Sequence, residues 1–196
     1  MRIFVPGGAG YIGSVLIPAL LNAGHYVTVL DNFMYRQNTL LEHCSNPKFK
    51  IIRGDVRDNR IVKEKLAKND AIIDLAAIVG MPACKRDPKL AEQINFEAVK
   101  FIVDNKSDDQ LILFPNTNSG YGQGEGSKFT EKSELNPIST YGITKVEAEK
   151  AIRTYATNFV IFRLATVFGA SPKMRLDLLV NDFVYRAWSD GYISLF

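Results

Sequence analysis

The sequence contains few of the residues that bind metal ions or form disulfide bridges. Among its 196 residues there are only 2 cysteines and 2 histidines. Cys44 and Cys84 do not form a CxxC pair, and His25 and His43 are too few for the ligand sets of structural zinc sites. We therefore expect no metal site, and we expect both thiols to be reduced.

A strong net charge and long apolar runs are also absent. With 24 Lys and Arg against 21 Asp and Glu, the formal net charge is only +3, which argues against nucleic acid or an anionic membrane as a partner. The longest apolar stretches, such as residues 15–21, are far shorter than the ~20 residues that span a bilayer. A strand-like run starts at Arg2, so no signal peptide is predicted. These absences predict a cytoplasmic protein.

The sequence does contain a regular alternation of short apolar runs and longer amphipathic segments. Nearly continuous apolar runs, which predict strands buried on both faces, occupy residues 2–5, 26–30, 49–53, 71–75, 111–115 and 159–163. Apolar residues at three- and four-residue spacing predict helices at residues 11–23, 59–68, 88–104 and 140–156. Pro18 lies inside the first helix and predicts a bend or a weak first turn there. The alternation is typical of βαβ units, so the predicted fold class is α/β with a doubly wound parallel sheet.

A glycine-rich turn follows the first predicted strand and opens the first helix. Its GxxGxxG motif comprises Gly7, Gly10, Tyr11, Ile12 and Gly13. Glycine permits a sharp turn and a close approach to a pyrophosphate, to which the helix N-terminus offers N–H groups. The second predicted strand ends at Asp31, near the expected position of a ribose-binding acid. The sequence thus predicts a Rossmann-type site for NAD, since Asp31 would repel the 2′-phosphate of NADP; Arg36 leaves NADP as the alternative.

Further candidate cofactor contacts follow the ends of other predicted strands. They are Asn32, Asp55, Val56, Leu75, Ala76 and Ala77. An acid beside an apolar residue, as at Asp55, suits an adenine amine and ring; the alternative is a helix cap, for which Asp58 is better placed. The small residues after the fourth strand would let a cofactor pass close over the sheet, and they would serve equally well as core filler.

A tyrosine and a lysine lie one helical turn apart, at Tyr141 and Lys145. This is the only YxxxK in the chain, although such a pair also arises by chance. A phenol with the ordinary pKa of ~10 is a poor base at neutral pH, and a nearby cation favours its phenolate. We therefore expect Tyr141 to act as a base whose pKa is lowered by Lys145. Thr117 follows the fifth strand and supplies a hydroxyl that could hold the reacting oxygen.

Together these residues resemble the extended short-chain dehydrogenases/reductases of the NAD-dependent nucleotide-sugar epimerase/dehydratase family. The resemblance runs from Gly7 to about Gly169. It includes the glycine motif, Asp31, Asp55-Val56, Leu75-Ala76-Ala77, Asn95, Thr117, Tyr121-Gly122, Tyr141, Lys145 and residues 163–169. It implies that Thr117, Tyr141 and Lys145 remove a proton from a sugar hydroxyl while a hydride passes to the nicotinamide, which gives a keto sugar, usually at C4.

The same resemblance implies further contacts and an assembly. Asn95 would join the hydrogen-bond network at the cofactor, and Met81, Asn118 and Thr166 would contact the nucleotide-sugar substrate. Members of the family are typically homodimers, and the predicted helices 88–104 and 140–156 are the natural interface, although their apolar faces serve the core equally well.

Several positions depart from the pattern of individual family members. The 4,6-dehydratases place an Asp-Glu pair directly after the catalytic threonine, whereas this chain has Asn118-Ser119, which cannot act as carboxylate acid or base. The 4-epimerases usually carry a lysine where Val79 stands here, and Asp74 occupies a position where histidine is frequent. Many members also have an asparagine near Thr166 that binds the substrate diphosphate.

We therefore expect a nucleotide-sugar 4-epimerase or 4-dehydrogenase. A 4,6-dehydratase or reductase is an alternative, as is a non-catalytic NAD-binding regulatory protein. An oxidoreductase for steroids or flavonoids would share the catalytic residues, but the polar turn predicted at 82–88 carries Lys85 and Arg86, which suit an anionic substrate. Those two charges are equally compatible with a solvated surface.

The chain is predicted to contain an NAD-binding domain at residues 1–169 and, at 170–196, the start of a truncated substrate-binding lobe. Within the second part we predict a helix at 176–188 and a strand at 191–196, with unmatched apolar surface near Tyr192, Ile193 and Phe196. The glycine-rich stretch 120–127 is either a mobile flank of the active site or a surface turn.

Overall fold

The computed structural model describes residues 1–123 and 128–195 and contains a six-stranded parallel sheet in the order β3-β2-β1-β4-β5-β6. The strands are β1 (Arg2–Pro6), β2 (Tyr26–Asp31), β3 (Phe49–Arg53), β4 (Ala71–Ile73), β5 (Leu111–Thr117) and β6 (Phe159–Leu164). The order reverses between β1 and β4, which opens a crevice at the carboxyl ends of these strands. The predicted doubly wound α/β class is confirmed.

Seven α-helices are described between and after the strands. They are α1 (Gly13–Asn22), α2 (Asn59–Leu66), α3 (Met81–Arg86), α4 (Pro88–Glu92), α5 (Ala98–Asn105), α6 (Thr140–Tyr155) and α7 (Leu179–Ser189). A π turn (Gln93–Glu97) joins α4 to α5, and short 3-10 turns lie at Leu41–His43 and Asn118–Tyr121. The first helix is continuous through Pro18, and it begins after Tyr11 and Ile12, which belong to the preceding turn.

The helices α3 to α5 differ from the prediction in two ways. The stretch 82–88, predicted as a polar turn, is mostly helical, because Pro82 near the start of α3 favours a helical first turn. Asp87 then caps α4 by accepting from the Leu90 amide at 2.9 Å. The single helix predicted at 88–104 is interrupted by the π turn, which places the side chain of Asn95 in the interior.

The sheet is covered by apolar clusters on both faces. Alternation along β1 sends Phe4 into one cluster and Ile3 and Val5 into the other. The first cluster includes residues from α2, α5 and α6, and the second includes Ile17 and Leu21 of α1. The central strands are therefore buried on both faces, as predicted.

The edge strand β6 does not have the two buried faces that we predicted. Phe159 and Ile161 pack on the core, whereas Val160 and Phe162 are 41% and 45% exposed. The reason is positional, since the described residues provide helices over only one face of this strand.

The last segment is partly as predicted. The helix predicted at 176–188 is observed as α7, but the predicted strand is wrong for residues 191–195, which have no regular structure. The expected exposed apolar surface is present, with Tyr192 and Ile193 68% and 44% exposed. Phe196 and residues 124–127 of the glycine-rich stretch lie outside the described residues. The domain boundary at residue 169 stays a prediction.

The described residues also exclude two other features among themselves. None of the helices has both the length and the apolar character to span a bilayer. No group of three or more His, Cys, Asp or Glu side chains in these ranges is arranged to hold a metal ion.

Candidate active site

The glycine turn lies in direct contact with the segment that follows β4. Gly7 has a positive φ of 72°, and a Cβ at this position would overlap the backbone of Leu75 and Ala76. The Leu75 amide donates to the Pro6 carbonyl at 2.9 Å, which fixes the two segments together. The structure thus brings the predicted glycine motif and the predicted residues 75–77 to one point in the crevice.

Close packing continues to the start of α1. The Gly10 amide donates to the Gly7 carbonyl at 3.2 Å, and a Cβ on Gly13 would overlap the backbone of Gly8. Ile12 precedes the helix and is 36% exposed. Glycine is therefore required at Gly7 and Gly13, because side chains there would overlap the neighbouring backbone, and such a tight turn at a helix start is the type that binds a pyrophosphate.

The side chain of Tyr11 points away from the turn, toward the segment between β6 and α7. Its hydroxyl donates to the Gly169 carbonyl at 2.6 Å and accepts from the Asn181 amide at 3.1 Å. The Ser171 hydroxyl donates to the Tyr11 carbonyl at 2.8 Å. Tyr11 thus tethers the glycine turn to residues 169–181, a connection that the sequence did not reveal. Its contact with the cofactor stays a prediction.

Asp31 lies at the end of β2, beside the glycine turn. Its carboxylate accepts hydrogen bonds from the amides of Ala9 at 3.0 Å and Phe33 at 2.8 Å, and from the Gln37 side chain at 3.1 Å. Burial raises the pKa of Asp31, and the two backbone donors oppose this shift. The chain after it is sharply bent, with positive φ at Phe33 and Arg36. This position suits an acceptor for ribose hydroxyls.

Asp55 and Asn32 lie next to each other at the ends of β3 and β2. The Arg57 guanidinium binds the Asp55 carboxylate at 2.8 and 2.9 Å and lowers the pKa of Asp55 to about 2. The Asn32 amide donates to the same carboxylate at 3.5 Å. Asp58 rather than Asp55 caps α2, by accepting from the amides of Arg60 and Ile61. Val56, the next residue in the chain, is buried. The adenine roles of Asp55 and Val56 stay predictions.

Thr117 and Tyr141 lie on elements that pack tightly against each other. Thr117 ends β5, and its hydroxyl accepts from the Ser119 amide at 3.1 Å. Ser139 caps α6 through the Gly142 amide at 3.0 Å, so Tyr141 lies in the first turn of that helix. A Cβ on Gly142 would come within 2.9 Å of the Ser119 carbonyl oxygen. The helix start and the strand end are therefore held together at the carboxyl edge of the sheet.

The charges around Tyr141 differ from the prediction. Burial, with a further contribution from Cys84, raises the pKa of Tyr141 to about 12, while the positive charge of Arg175 opposes this. The expected lowering by Lys145 is not observed, because burial of the phenol dominates its pKa. The Lys145 ammonium lies over the Phe114 ring, 3.7 Å from its centre. No hydrogen bond joins the two side chains within the part of the chain that the structure describes.

Asn95 is fully buried and connects the segment after β4 to α6. Its carbonyl oxygen accepts from the Ile78 amide at 2.8 Å. Its amide group donates to the Ile78 carbonyl at 3.0 Å and to the Thr144 hydroxyl at 3.2 Å. Asn95 thus belongs to a hydrogen-bond network next to Tyr141, and direct contact with the cofactor stays a prediction.

The predicted substrate contacts are all exposed at the same side of the sheet. Met81 begins α3 and is 60% exposed, Asn118 follows β5, and Thr166 follows β6. Lys85 and Arg86 are exposed on α3. Substrate contacts of these residues stay predictions.

Arg175 is a candidate site residue that the sequence reasoning missed. The Arg175 guanidinium binds the Asp177 carboxylate through two contacts of 2.6 Å. The positive charge of Arg175 acts to lower the pKa of the Tyr141 phenol. The segment that carries it is held by Asn181, whose amide donates to the Arg175 carbonyl at 3.0 Å. The only sequence signal would have been an arginine two residues before an aspartate, which is too common to identify a site.

A second missed group is centred on Glu149 of α6, which is 1% exposed. Its carboxylate binds Arg163 of β6 at 2.6 Å and Arg153 at 2.9 Å, and it accepts from the side chain of Asn116 in β5. Arg163 also donates to the Tyr121 hydroxyl at 3.3 Å. This network joins α6 to the two strands next to it.

Comparison with known proteins now adds to this geometry. The model of the NAD dependent epimerase/dehydratase family matches residues 3–191. The chain belongs to this family. The predicted family and its cofactor, NAD, are therefore confirmed, and the glycine turn beside Asp31 fits that cofactor.

Two relatives show the extent of the sequence match. The UDP-glucose 4-epimerase of Lacticaseibacillus casei is 31% identical over 180 residues, which are 88% of this chain and 53% of that protein. The low-salt glycan biosynthesis protein Agl12 of Haloferax volcanii is 29% identical over 196 residues, covering 95% of this chain and 63% of that protein.

The solved structures that are similar to this chain include a 4-epimerase and a 4,6-dehydratase. The NAD complex of UDP-glucuronic acid 4-epimerase from Bacillus cereus aligns with a TM-score of 0.83 at 27% identity, covering 97% of this chain and 63% of that one. A dTDP-glucose 4,6-dehydratase double mutant from Streptomyces venezuelae aligns with a TM-score of 0.82 at 28% identity, covering 97% and 63%. The chain thus spans about half to two thirds of the length of the relatives that it matches.

Proposed function

We propose that this chain oxidises the C4 hydroxyl group of a nucleotide sugar with NAD, as a 4-epimerase or 4-dehydrogenase. The observation that carries the proposal is that the glycine turn, the end of β5 with Thr117 and the start of α6 with Tyr141 all lie at the carboxyl edge of one parallel sheet. Relatives named as UDP-glucose and UDP-glucuronic acid 4-epimerases support the substrate class.

In this proposal NAD, when bound, supplies the hydride acceptor, and the chain supplies binding and proton transfer. The turn from Gly7 to Gly13 would hold the pyrophosphate, and Asp31 would accept from ribose hydroxyls. The Thr117 hydroxyl would hold the sugar oxygen, and the Tyr141 oxygen would take its proton.

The high pKa of Tyr141 explains why positive charge is needed for that step. A phenol with a pKa of about 12 remains protonated at neutral pH and cannot act as a base. A positive charge close to the phenol lowers this pKa. Arg175 from the segment before α7 already opposes the raised pKa of Tyr141. We assign the same role to Lys145, one helical turn away, in the complex with substrate and NAD, where the oxidised cofactor brings a further positive charge.

The residues after Thr117 favour oxidation and inversion over loss of water. Asn118 and Ser119 are exposed there, and neither side chain is a carboxylic acid. A 4,6-dehydration needs an acid and a base at the C5 and C6 protons. The relationship to a dTDP-glucose 4,6-dehydratase therefore supports the shared oxidation step rather than the elimination.

The test is a panel of nucleotide sugars incubated with the chain and NAD, with keto, inverted and dehydrated products separated by mass and NMR. Tyr141→Phe should abolish hydride transfer and leave NAD affinity nearly unchanged. The matched control is Tyr155→Phe, because Tyr155 lies on the same helix but is 62% exposed. Turnover by the Tyr141→Phe variant would refute the assigned base, and NAD binding without any turnover would favour the non-catalytic alternative.

A further inference from the structure

Asp74 is a buried carboxylate for which the proposed reaction has so far no use. It follows β4 in the centre of the sheet and is 2% exposed. Its backbone amide donates to the Leu113 carbonyl of β5 at 3.2 Å, and one carboxylate oxygen accepts from the Ala76 amide at 3.3 Å. That single backbone bond is weak compensation for burying a charge.

The position of Asp74 relates it to Lys145 rather than to the glycine turn. Ile73 pairs with Leu113 in the register of β4 and β5, so the next pair along the strands is Asp74 and Phe114. Ile72 and Phe114 belong to the cluster on the α6 face of the sheet, and alternation places Asp74 on that same face. The Lys145 ammonium in turn lies over the Phe114 ring, 3.7 Å from the ring centre.

Lys145 needs a compensating charge. The residue is 3% exposed, and within residues 1–123 and 128–195 its ammonium has neither a hydrogen bond nor an ion pair. Burial lowers the pKa of Lys145, and the charge of Asp74 opposes that effect. Burial likewise raises the pKa of Asp74, and Lys145 opposes it. The aromatic face stabilises a cation further.

Other charged groups around α6 have partners of their own or lie in solvent. Glu149 binds Arg163 and Arg153, and Arg175 binds Asp177. The buried Cys84 thiol donates to the Ile78 carbonyl at 3.2 Å, and the Tyr141 phenol is protonated at neutral pH. The remaining charged side chains of the packed elements α3, α4, α5 and the π turn are at the surface: Lys85, Arg86, Lys89, Glu92, Glu97, Lys100 and Asp104.

We propose that Asp74 is a positioning residue that keeps the buried Lys145 ammonium charged and in place over the Phe114 ring. Through this lysine, Asp74 favours the phenolate form of Tyr141. The inference rests on the proposed function of the Tyr141 and Lys145 pair. In a medium of low dielectric constant, opposite charges that are not in contact still interact strongly. A neutral lysine would not favour the phenolate of Tyr141. By keeping Lys145 charged, the Asp74 carboxylate preserves the positive charge that the phenolate needs.

The alternative is that Asp74 only fixes the turn after β4 through the Ala76 amide. Asp74→Asn separates the two roles, because the asparagine oxygen can accept the same hydrogen bond without the charge. Asp74→Glu restores the charge. Asp70→Asn is the matched control, since Asp70 precedes β4 at the opposite end of the strand and is exposed.

The primary measurement is an NMR titration of lysine side chains in the whole chain, with the Lys145 signal assigned from Lys145→Met. In Asp74→Asn the pKa of Lys145 should fall by about 1 unit, because the ammonium loses its counter-charge. It should recover at least partly in Asp74→Glu and be unchanged in Asp70→Asn. An unchanged Lys145 pKa in folded Asp74→Asn would overturn the proposal.

A reciprocal titration keeps the proposal testable even where Asp74→Asn does not fold. Coupling between two sites is mutual, so Lys145→Met should raise the pKa of the Asp74 carboxyl by a similar amount in a protein that retains Asp74. A carboxyl titration that is unaffected by Lys145→Met would also overturn the proposal. Both titrations need no substrate, so they separate a failure of this inference from a failure of the proposed oxidation.

The pH profile connects the pair to catalysis. Hydride transfer should decline as pH rises through the pKa of Lys145, and Asp74→Asn should move this decline to lower pH by the shift found in the NMR titration. A merely structural role of Asp74 would lower the rate at all pH values without moving the profile.

Discussion

At the scale of single residues, the close packing of the glycine turn could be predicted from the sequence, whereas the surroundings of Tyr141 could not. Gly7 and Gly13 are identifiable because no other residue fits a backbone that passes so close to its neighbours. The surroundings of Tyr141 and Lys145 were not predictable in the same way. Their four-residue spacing places both on one helix, but burial and the position of Phe114 and Asp74 on other elements determine their pKa values.

Gly7 allows a prediction that separates backbone strain from packing. Gly7→Ala should destabilise the fold by about 1–2 kcal/mol for the left-handed conformation alone, and by more because its Cβ would overlap Ala76. Gly24→Ala is the control, because Gly24 has a φ of 85° but only the end of the Lys48 side chain, at 3.8 Å, near its Cβ position. Urea unfolding and NAD titration measure both variants. Equal stability losses, or NAD affinity retained in Gly7→Ala, would contradict the close packing argument.

At the scale of elements, the sequence predicts whatever depends on local pattern. All six strands and the helices α1, α2 and α6 were expected within a few residues of their observed bounds. The π turn was not, because a run of apolar residues at helical spacing looks the same whether or not one turn widens around Asn95. The open face of β6 was missed because apolar sequence in a strand does not tell which neighbouring elements cover it.

The network around Glu149 predicts how α6 is held to the sheet. Glu149→Gln leaves the Arg163 guanidinium, whose side chain is 11% exposed, without its main partner. Removing one member of a buried ion pair costs about 3–5 kcal/mol, so we expect a loss of unfolding free energy of that order. Glu147→Gln, on the same helix, breaks the exposed pair with Lys150 and should cost less than about 1 kcal/mol. Similar losses for the two variants in urea unfolding would show that the buried network does not support the helix.

At the scale of the whole molecule, two parts of the chain that are far apart in sequence meet at Tyr11. The glycine turn and the segment from Gly169 to α7 share hydrogen bonds through Tyr11, Asn181 and Ser171. Asn181 is only 4% exposed, and it also accepts from the Gly169 amide at 2.9 Å. The segment that carries Arg175 is thus fixed both to α7, through Asn181, and to the glycine turn, through Tyr11. The predicted homodimer stays a prediction.

This tether predicts that the Tyr11 hydroxyl controls the order of the segment that faces Tyr141. Tyr11→Phe removes the donor to the Gly169 carbonyl and the acceptor for Asn181, so the Gly169 amide should exchange with deuterium several times faster, while the amides of β1 and β2 remain protected. Tyr26→Phe is the control, because Tyr26 is 53% exposed and lies at the opposite end of the sheet. If Gly169 exchanged at the same rate in both variants, the bonds of Asn181 and of Ser171, which donates to the Tyr11 carbonyl, would be sufficient to hold the segment. Faster exchange confined to residues 169–181 would show that the Tyr11 hydroxyl is needed to order the Arg175 segment.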